Sequence, residues 1–189
     1  MSGDFALKYD AETYEVINGQ TYMMSRPKIN HVRVERNITK IFSRYLEGKT
    51  CETFNESDVY LDDENNVVPD VMIVCDPNII NEDGINGVPD LIVEILSPST
   101  AKRDKNEKFR LYEKFGVKEY WIVDPNNKFV DVYHLIDSKF ILQNTYKFFT
   151  DEVYQSLSER DKADVITQIK VSLYDDLIVD VAEIFERVK

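Results

Sequence analysis

Apolar residues along this chain recur with two different periods, and each change of period marks an element. In "TYEVINGQTYMM" (13–24), short apolar runs flank Asn18-Gly19, which predicts a hairpin closed by a type I′ turn. After a break at 25–30, Val34, Ile38, Ile41, Phe42 and Tyr45 recur at helical spacing, predicting a helix over 31–46 that Gly48 stops. Two extended segments follow around the polar turn "DDENN" (62–66), the second containing "VVPDVMIVC" (67–75). Residues 76–87 read as a loop, in which Ile79 and Ile80 pack locally. "PDLIVEILSPST" (89–100) holds a continuous apolar run, the mark of a strand covered on both faces. A helix is expected over 100–115, ended by Gly116, and "EYWIVDP" (119–125) is a further buried strand. Two meandering strands, a helical stretch over 151–169, and an extended segment with a short amphipathic helix complete the chain. The expected class is α+β, a mixed sheet with helices against it. No repeat or linker interrupts it, so one domain is expected over 1–189: hairpin 13–24, core 31–125, and C-terminal strands and helices 126–189.

Within the apolar strand, Glu94 stands alone. Strand side chains alternate, so Asp90, Ile92, Glu94 and Leu96 share one face, while Leu91, Val93 and Ile95 share the other. A second Pro-Asp pair, Pro69-Asp70, opens the strand 71–74. If the two strands are neighbours, about 4.8 Å apart, Asp70 and Glu94 can converge on one hard cation such as Mg²⁺. On a wheel of 100° per residue, Lys108 faces inward with Ala101, Asp104, Leu111, Tyr112 and Phe115. Arg103, Asn106, Glu107, Arg110, Glu113 and Lys114 fall on the far side. A core-facing lysine calls for a charged partner.

Composition narrows the function. The 189 residues are 43% hydrophobic and 12% aromatic, as in a folded globule. No window is long and apolar enough to span a membrane, and residues 1–10 lack the pattern of a signal peptide, so a soluble cytoplasmic protein is expected. Cys51 and Cys75 have no CxxC spacing, and reduced thiols are the expectation. With 35 acidic and 23 basic residues the net charge is −12. That opposes tight nonspecific nucleic-acid binding and leaves room only for a local basic groove.

The segments "VVPDVMIV" and "VPDLIVEILSPSTAKRDKNEKFRLYEKFGVKEYWIVDP" closely resemble the bacterial "putative restriction endonuclease" family within the PD-(D/E)XK nuclease superfamily. "YEVINGQ", His31 and the tail "YDDLIVDVAEIF" fit its terminal patterns. The resemblance implies a restriction-endonuclease-like sheet core flanked by helices. It implies Asp70, Glu94 and Lys108 as catalytic residues, with Mg²⁺ (or Mn²⁺) on Asp70, Glu94 and the backbone carbonyl of Ile95. The superfamily's strand lysine would fall at Leu96, and the family takes its lysine from the following helix instead. Asp90, Asp104, His31 and Glu15 are supporting candidates. The implied partner is nucleic acid, with DNA favoured, and the implied state is a homodimer.

Ordinary explanations stand beside these. Pro-Asp is common turn chemistry, Lys108 can pair with Asp104, and His31 can serve as a cap. Asp90 can cap a loop, and Ser97 and Ser99 read as turn and cap residues. A noncatalytic nucleic-acid- or protein-binding module on a nuclease-like scaffold is the alternative.

Overall fold

A computed structural model describes residues 13–189; the reading of residues 1–10 as lacking a leader lies outside the described residues. The hairpin forms as expected, β1 (Tyr14–Ile17) pairing with β2 (Gln20–Met23). Asn18 and Gly19 both take positive φ, 51° and 73°, as a type I′ turn requires. Helix α1 (Ile29–Leu46) follows, burying Val34, Ile38, Ile41 and Phe42 along one stripe. Gly48 adopts φ 74°, so the chain turns off the helix at a residue with no Cβ to oppose it.

The region expected to hold two extended segments contains four strands: β3 (Glu52–Phe54), β4 (Val59–Asp62), β5 (Asn65–Val67) and β6 (Val71–Val74). A polar break at 55–58 and a proline-containing break at 68–70 divide what a period alone reads as continuous. The 76–87 loop carries a 3₁₀ turn and a tiny hairpin, β7 (Ile80–Asn81) with β8 (Gly84–Ile85). Then come β9 (Leu91–Ile95), α2 (Ala101–Arg103), a π-helical turn (Asp104–Lys108) and α3 (Phe109–Phe115). After β10 (Glu119–Asp124), β11 (Phe129–Ile136) and β12 (Lys139–Lys147), only two short helices form, α4 (Asp151–Ser156) and α5 (Glu159–Ala163). The helix expected to reach 169 gives way to β13 (Gln168–Lys170), which pairs with β14 (Ile178–Asp180) before α6 (Val181–Ile184).

The class is α+β. One six-stranded sheet runs β12-β11-β10-β9-β6-β3, and a second runs β2-β1-β5-β4-β8-β7. The first is mixed: β9 and β10 are parallel, joined through the helices between them, and its other pairs are antiparallel. Its two faces divide the core. Val71, Ile73, Leu91, Val93, Ile95, Trp121 and Val123 meet α1 and the C-terminal elements. Met72, Val74, Ile92, Leu96, Tyr120 and Ile122 meet the second sheet and α3. The expected alternation along β9 is therefore present, and every residue of that strand is buried. At about 1.5–3 kcal/mol per large apolar side chain, such burial fixes the register firmly, because a one-residue slip exchanges the two faces.

Two further contacts tie the layers. Glu119 is fully buried and accepts from Trp121 Nε1 (2.6 Å), Ser172 N (2.6 Å) and Ser172 Oγ (2.5 Å), pinning the C-terminal segment to β10. Cys51 and Cys75 are bonded to each other, contrary to the expectation of free thiols. The pairing Glu52↔Val74 sets the residues just outside β3 and β6 side by side, a cross-strand relation that sequence spacing does not reveal. Among the described residues no helix is long and apolar enough to cross a membrane.

Removing the acceptor in Glu119→Ala strands the buried Trp121 Nε1–H and frees the two part-buried Ser172 donors, and is expected to cost about 1–3 kcal/mol by denaturant titration. Reducing the Cys51–Cys75 bond frees a loop of sequence separation 24 and should lower stability by about 3 kcal/mol. An unchanged unfolding midpoint in reductant would contradict that bond.

Candidate active site

The antiparallel pairing of β6 with β9 sets Val71 opposite Val93, so Asp70 and Glu94 lie one step further along, at the same end of the two strands. Asp70 Oδ2 accepts the Ile95 backbone N–H at 2.5 Å, which ties the motif aspartate directly to β9. His31, in the first turn of α1, places Nε2 3.3 Å from that same oxygen. Burial disfavours the charged imidazole, but the hydrogen bond and charge of Asp70 outweigh it and raise the His31 pKa.

Lys108 is 3% exposed, although it carries a charge. Its ammonium lies 2.9 Å from Glu94 Oε1 and 2.6 Å from Glu15 Oε1. Glu15 comes from the other sheet, where it also accepts the Val68 N–H at 3.0 Å and meets Arg103 at 3.5 Å. The ordinary alternative, a Lys108–Asp104 pair, is thus replaced by an ion pair with each of two other carboxylates. Between Asp104 and Lys108 the helix widens into its π turn, which a 100° wheel does not contain; such turns are frequent at functional sites. The Asp104 carbonyl is held by the Tyr120 hydroxyl at 3.0 Å. Its carboxyl oxygen Oδ1 is buried with no hydrogen-bond partner among the described residues.

Asp70, Glu94, Lys108, Asp104, His31 and Glu15 all line one cavity of about 290 Å³. Asp90 does not. It sits at the opposite end of β9, where it accepts the Cys75 N–H (2.8 Å) and pairs with Lys118 (2.6 Å), so it acts as the loop cap. Arg103, expected on the outer helix face, lines the cavity instead, its guanidinium 4.1 Å above the Tyr22 ring. It precedes the π turn, so the wheel's phase set at Lys108 does not carry back to it. With Arg26 and Lys28 it supplies local positive charge at a mouth that the net charge of −12 conceals. Leu96 is buried among apolar neighbours and no cation occupies that position. Ser97 bonds both Ser99 and Thr100 in the turn before α2, the turn role expected of Ser97 and Ser99.

One contact escaped the sequence. The Tyr112 hydroxyl donates to Glu94 Oε1 at 2.7 Å from full burial. Inward spacing signals that Tyr112 is buried but cannot tell what its hydroxyl meets. Burial and the Glu94 charge push its pKa well up, so the phenol stays protonated and donates. Burial also raises the Glu94 pKa well above the usual carboxylate range, against the opposing pull of Lys108. Both donors address Oε1, which leaves Oε2 for the cavity. The neighbouring carboxylates hold Lys108 firmly charged despite its burial.

Among the described residues, no three His, Cys, Asp or Glu side chains could by themselves hold a metal. Mg²⁺ does not need such a cage; it commonly takes one or two carboxylates and completes its octahedron with water and phosphate. Asp70, Glu94 and the Ile95 carbonyl, all hard oxygen donors on one cavity, fit that demand.

Residues 4–160 match the family model Uma2, described as "Putative restriction endonuclease". An uncharacterized protein of Synechocystis sp. (strain ATCC 27184 / PCC 6803 / Kazusa) is 34% identical over 130 residues, 67% of this chain and 68% of its own. A second uncharacterized protein of that organism is 30% identical over 119 residues, covering 60% and 67%. A crystal structure from Anabaena variabilis ATCC 29413, described as a putative nuclease belonging to DUF820, superposes with a TM-score of 0.68. It covers 92% of this chain and 90% of its own at 19% identity, a likeness of fold.

Burial raises the Asp104 pKa to about 6. Since the folded value exceeds the ordinary 3.8, the folded state binds more protons between pH 4 and 6, and stability falls as pH rises through that window. Asp104→Asn removes this penalty. Relative to the unaltered protein it should gain up to about 3 kcal/mol at pH 7–8, and the gain should shrink toward pH 4. Denaturation at several pH values measures it, and a gain independent of pH would contradict the assignment.

Proposed function

The chain belongs to the Uma2 family described as "Putative restriction endonuclease", and from that premise we propose that it is a Mg²⁺- or Mn²⁺-dependent endonuclease acting on DNA. The observation that carries this reading is the meeting of Asp70, Glu94 and Lys108 on one cavity, with the Lys108 ammonium 2.9 Å from Glu94. These are the residue types that phosphodiester hydrolysis needs: hard oxygens for a divalent cation and a buried positive charge beside them.

In this mechanism Asp70, Glu94 and the Ile95 carbonyl would hold the cation. When bound, the metal supplies Lewis acidity, polarising the scissile phosphate and lowering the pKa of a coordinated water. Lys108 orients the attacking water and offsets negative charge on the phosphorane-like transition state. Glu15 fixes Lys108, and His31 fixes Asp70 through its Oδ2. Arg26, Lys28 and Arg103 give the strand's phosphates a basic path to an otherwise acidic molecule. Because Glu94 has an elevated pKa, the cation competes with a proton there, so metal affinity rises with pH. We place the activity in the cytoplasm with its substrate, where the Cys51–Cys75 bond would meet a reducing thiol pool. By analogy with other nucleases that cut both strands of a duplex, a homodimer is the expected working form.

The test is cleavage of plasmid DNA, and of RNA in parallel, with Mg²⁺ or Mn²⁺. Lys108→Ala and Glu94→Ala should each lower the rate by about 10²–10³-fold. The metal should also raise the melting temperature, and Glu94→Ala should abolish that rise. Neither cleavage nor a metal-dependent shift would leave the noncatalytic scaffold as the better reading.

A further inference from the structure

Two donors from the same helical segment converge on one oxygen of Glu94. Lys108 Nζ reaches Oε1 at 2.9 Å, and the Tyr112 hydroxyl, four residues on, reaches it at 2.7 Å. They approach differently. Lys108 lines the cavity and is shared with Glu15, whereas Tyr112 is wholly buried within the apolar cluster under the sheet. Its ring packs edge-on against Tyr120, with centroids 5.2 Å apart. The hydroxyl therefore grips Glu94 from the protein interior, out of reach of anything that enters the cavity.

Packing alone would account for the ring but not for the hydroxyl, since a phenylalanine fills nearly the same space. The hydroxyl's use follows from what the reaction asks of Lys108. An ammonium that turns toward a water or a phosphate gives up part of its hold on Glu94. A buried carboxylate released by its cation swings toward whatever donor is nearest or takes up a proton. A second donor that cannot leave keeps Oε1 turned inward and Oε2 turned to the cavity throughout. We infer that Tyr112 is a positioning residue, whose hydroxyl fixes the Glu94 carboxylate for the metal while Lys108 serves the substrate. This inference rests on the metal-dependent reading above. Hydrogen bonds of this kind behind a ligating carboxylate typically carry 10–100-fold in metal affinity.

Mn²⁺ binding to the full chain without nucleic acid tests it, with free Mn²⁺ counted by electron paramagnetic resonance at one fixed pH. Tyr112→Phe is expected to weaken binding about 10–100-fold relative to the unaltered protein. Tyr112→Met, which fills the space without an aromatic ring, is a second variant with the same expected loss. Equal affinity in a folded variant overturns the inference and leaves the metal site standing. Failure of both variants to fold overturns it too, by assigning Tyr112 to the core alone. If the unaltered protein binds no Mn²⁺, the proposed function fails and this inference with it.

Discussion

The burial of Glu94 is the constraint around which the site is arranged. A carboxylate in the middle of a strand covered on both faces loses its water, and a cation must replace that water if the charge is to persist. Lys108 meets the need, but a buried lysine raises the same difficulty in turn. Glu15 answers it from another sheet, and the Val68 N–H and Arg103 complete the Glu15 shell. One buried charge thus recruits the hairpin, the strand β9 and the helix after it. The second six-stranded sheet is tied to the first by apolar packing and also by this chain of opposite charges.

Strand pairing explains why the two halves of the motif meet. Asp70 and Glu94 are far apart in sequence, yet the register Val71↔Val93 brings them to the same end of adjacent strands. The Ile95 N–H then locks Asp70 in place. The register depends in turn on the alternation of large apolar residues along β6 and β9, so core packing and site geometry are set by the same residues.

What was legible in the sequence follows the range of each interaction. The hairpin, α1, β9 and β10 are visible because their signals are local: a turn pair, a helical stripe, an apolar run. The inward direction of Lys108 was legible for the same reason, whereas its meeting with Glu94 came only from the family resemblance and its pairing with Glu15 from neither. Asp104, nearest on the wheel, was the local candidate. The actual partners come from β1 and β9, and no periodicity points across layers. Arg103 and the widened turn show the limit from the other side, since a fixed 100° step cannot express an inserted residue. Cys51 and Cys75 were misread because their proximity arises from the β3–β6 register, which only the folded sheet displays. At the C-terminus, helical spacing over 151–169 ignored the strand pairing that claims 168–170.

The cavity and its support are contributed unevenly along the chain. Its charged residues lie between Glu15 and Lys108, whereas the rear face of the sheet beneath is covered in part by Ile169, Val171, Leu177, Val179, Ile184 and Phe185. Glu119, behind that face, is satisfied by Ser172. A chain ending before residue 169 would therefore retain every charged group of the cavity while losing the apolar side chains that complete the core cluster of Val93, Ile95 and Trp121. The order of the front face therefore leans on a back that β13, β14 and α6 help to close.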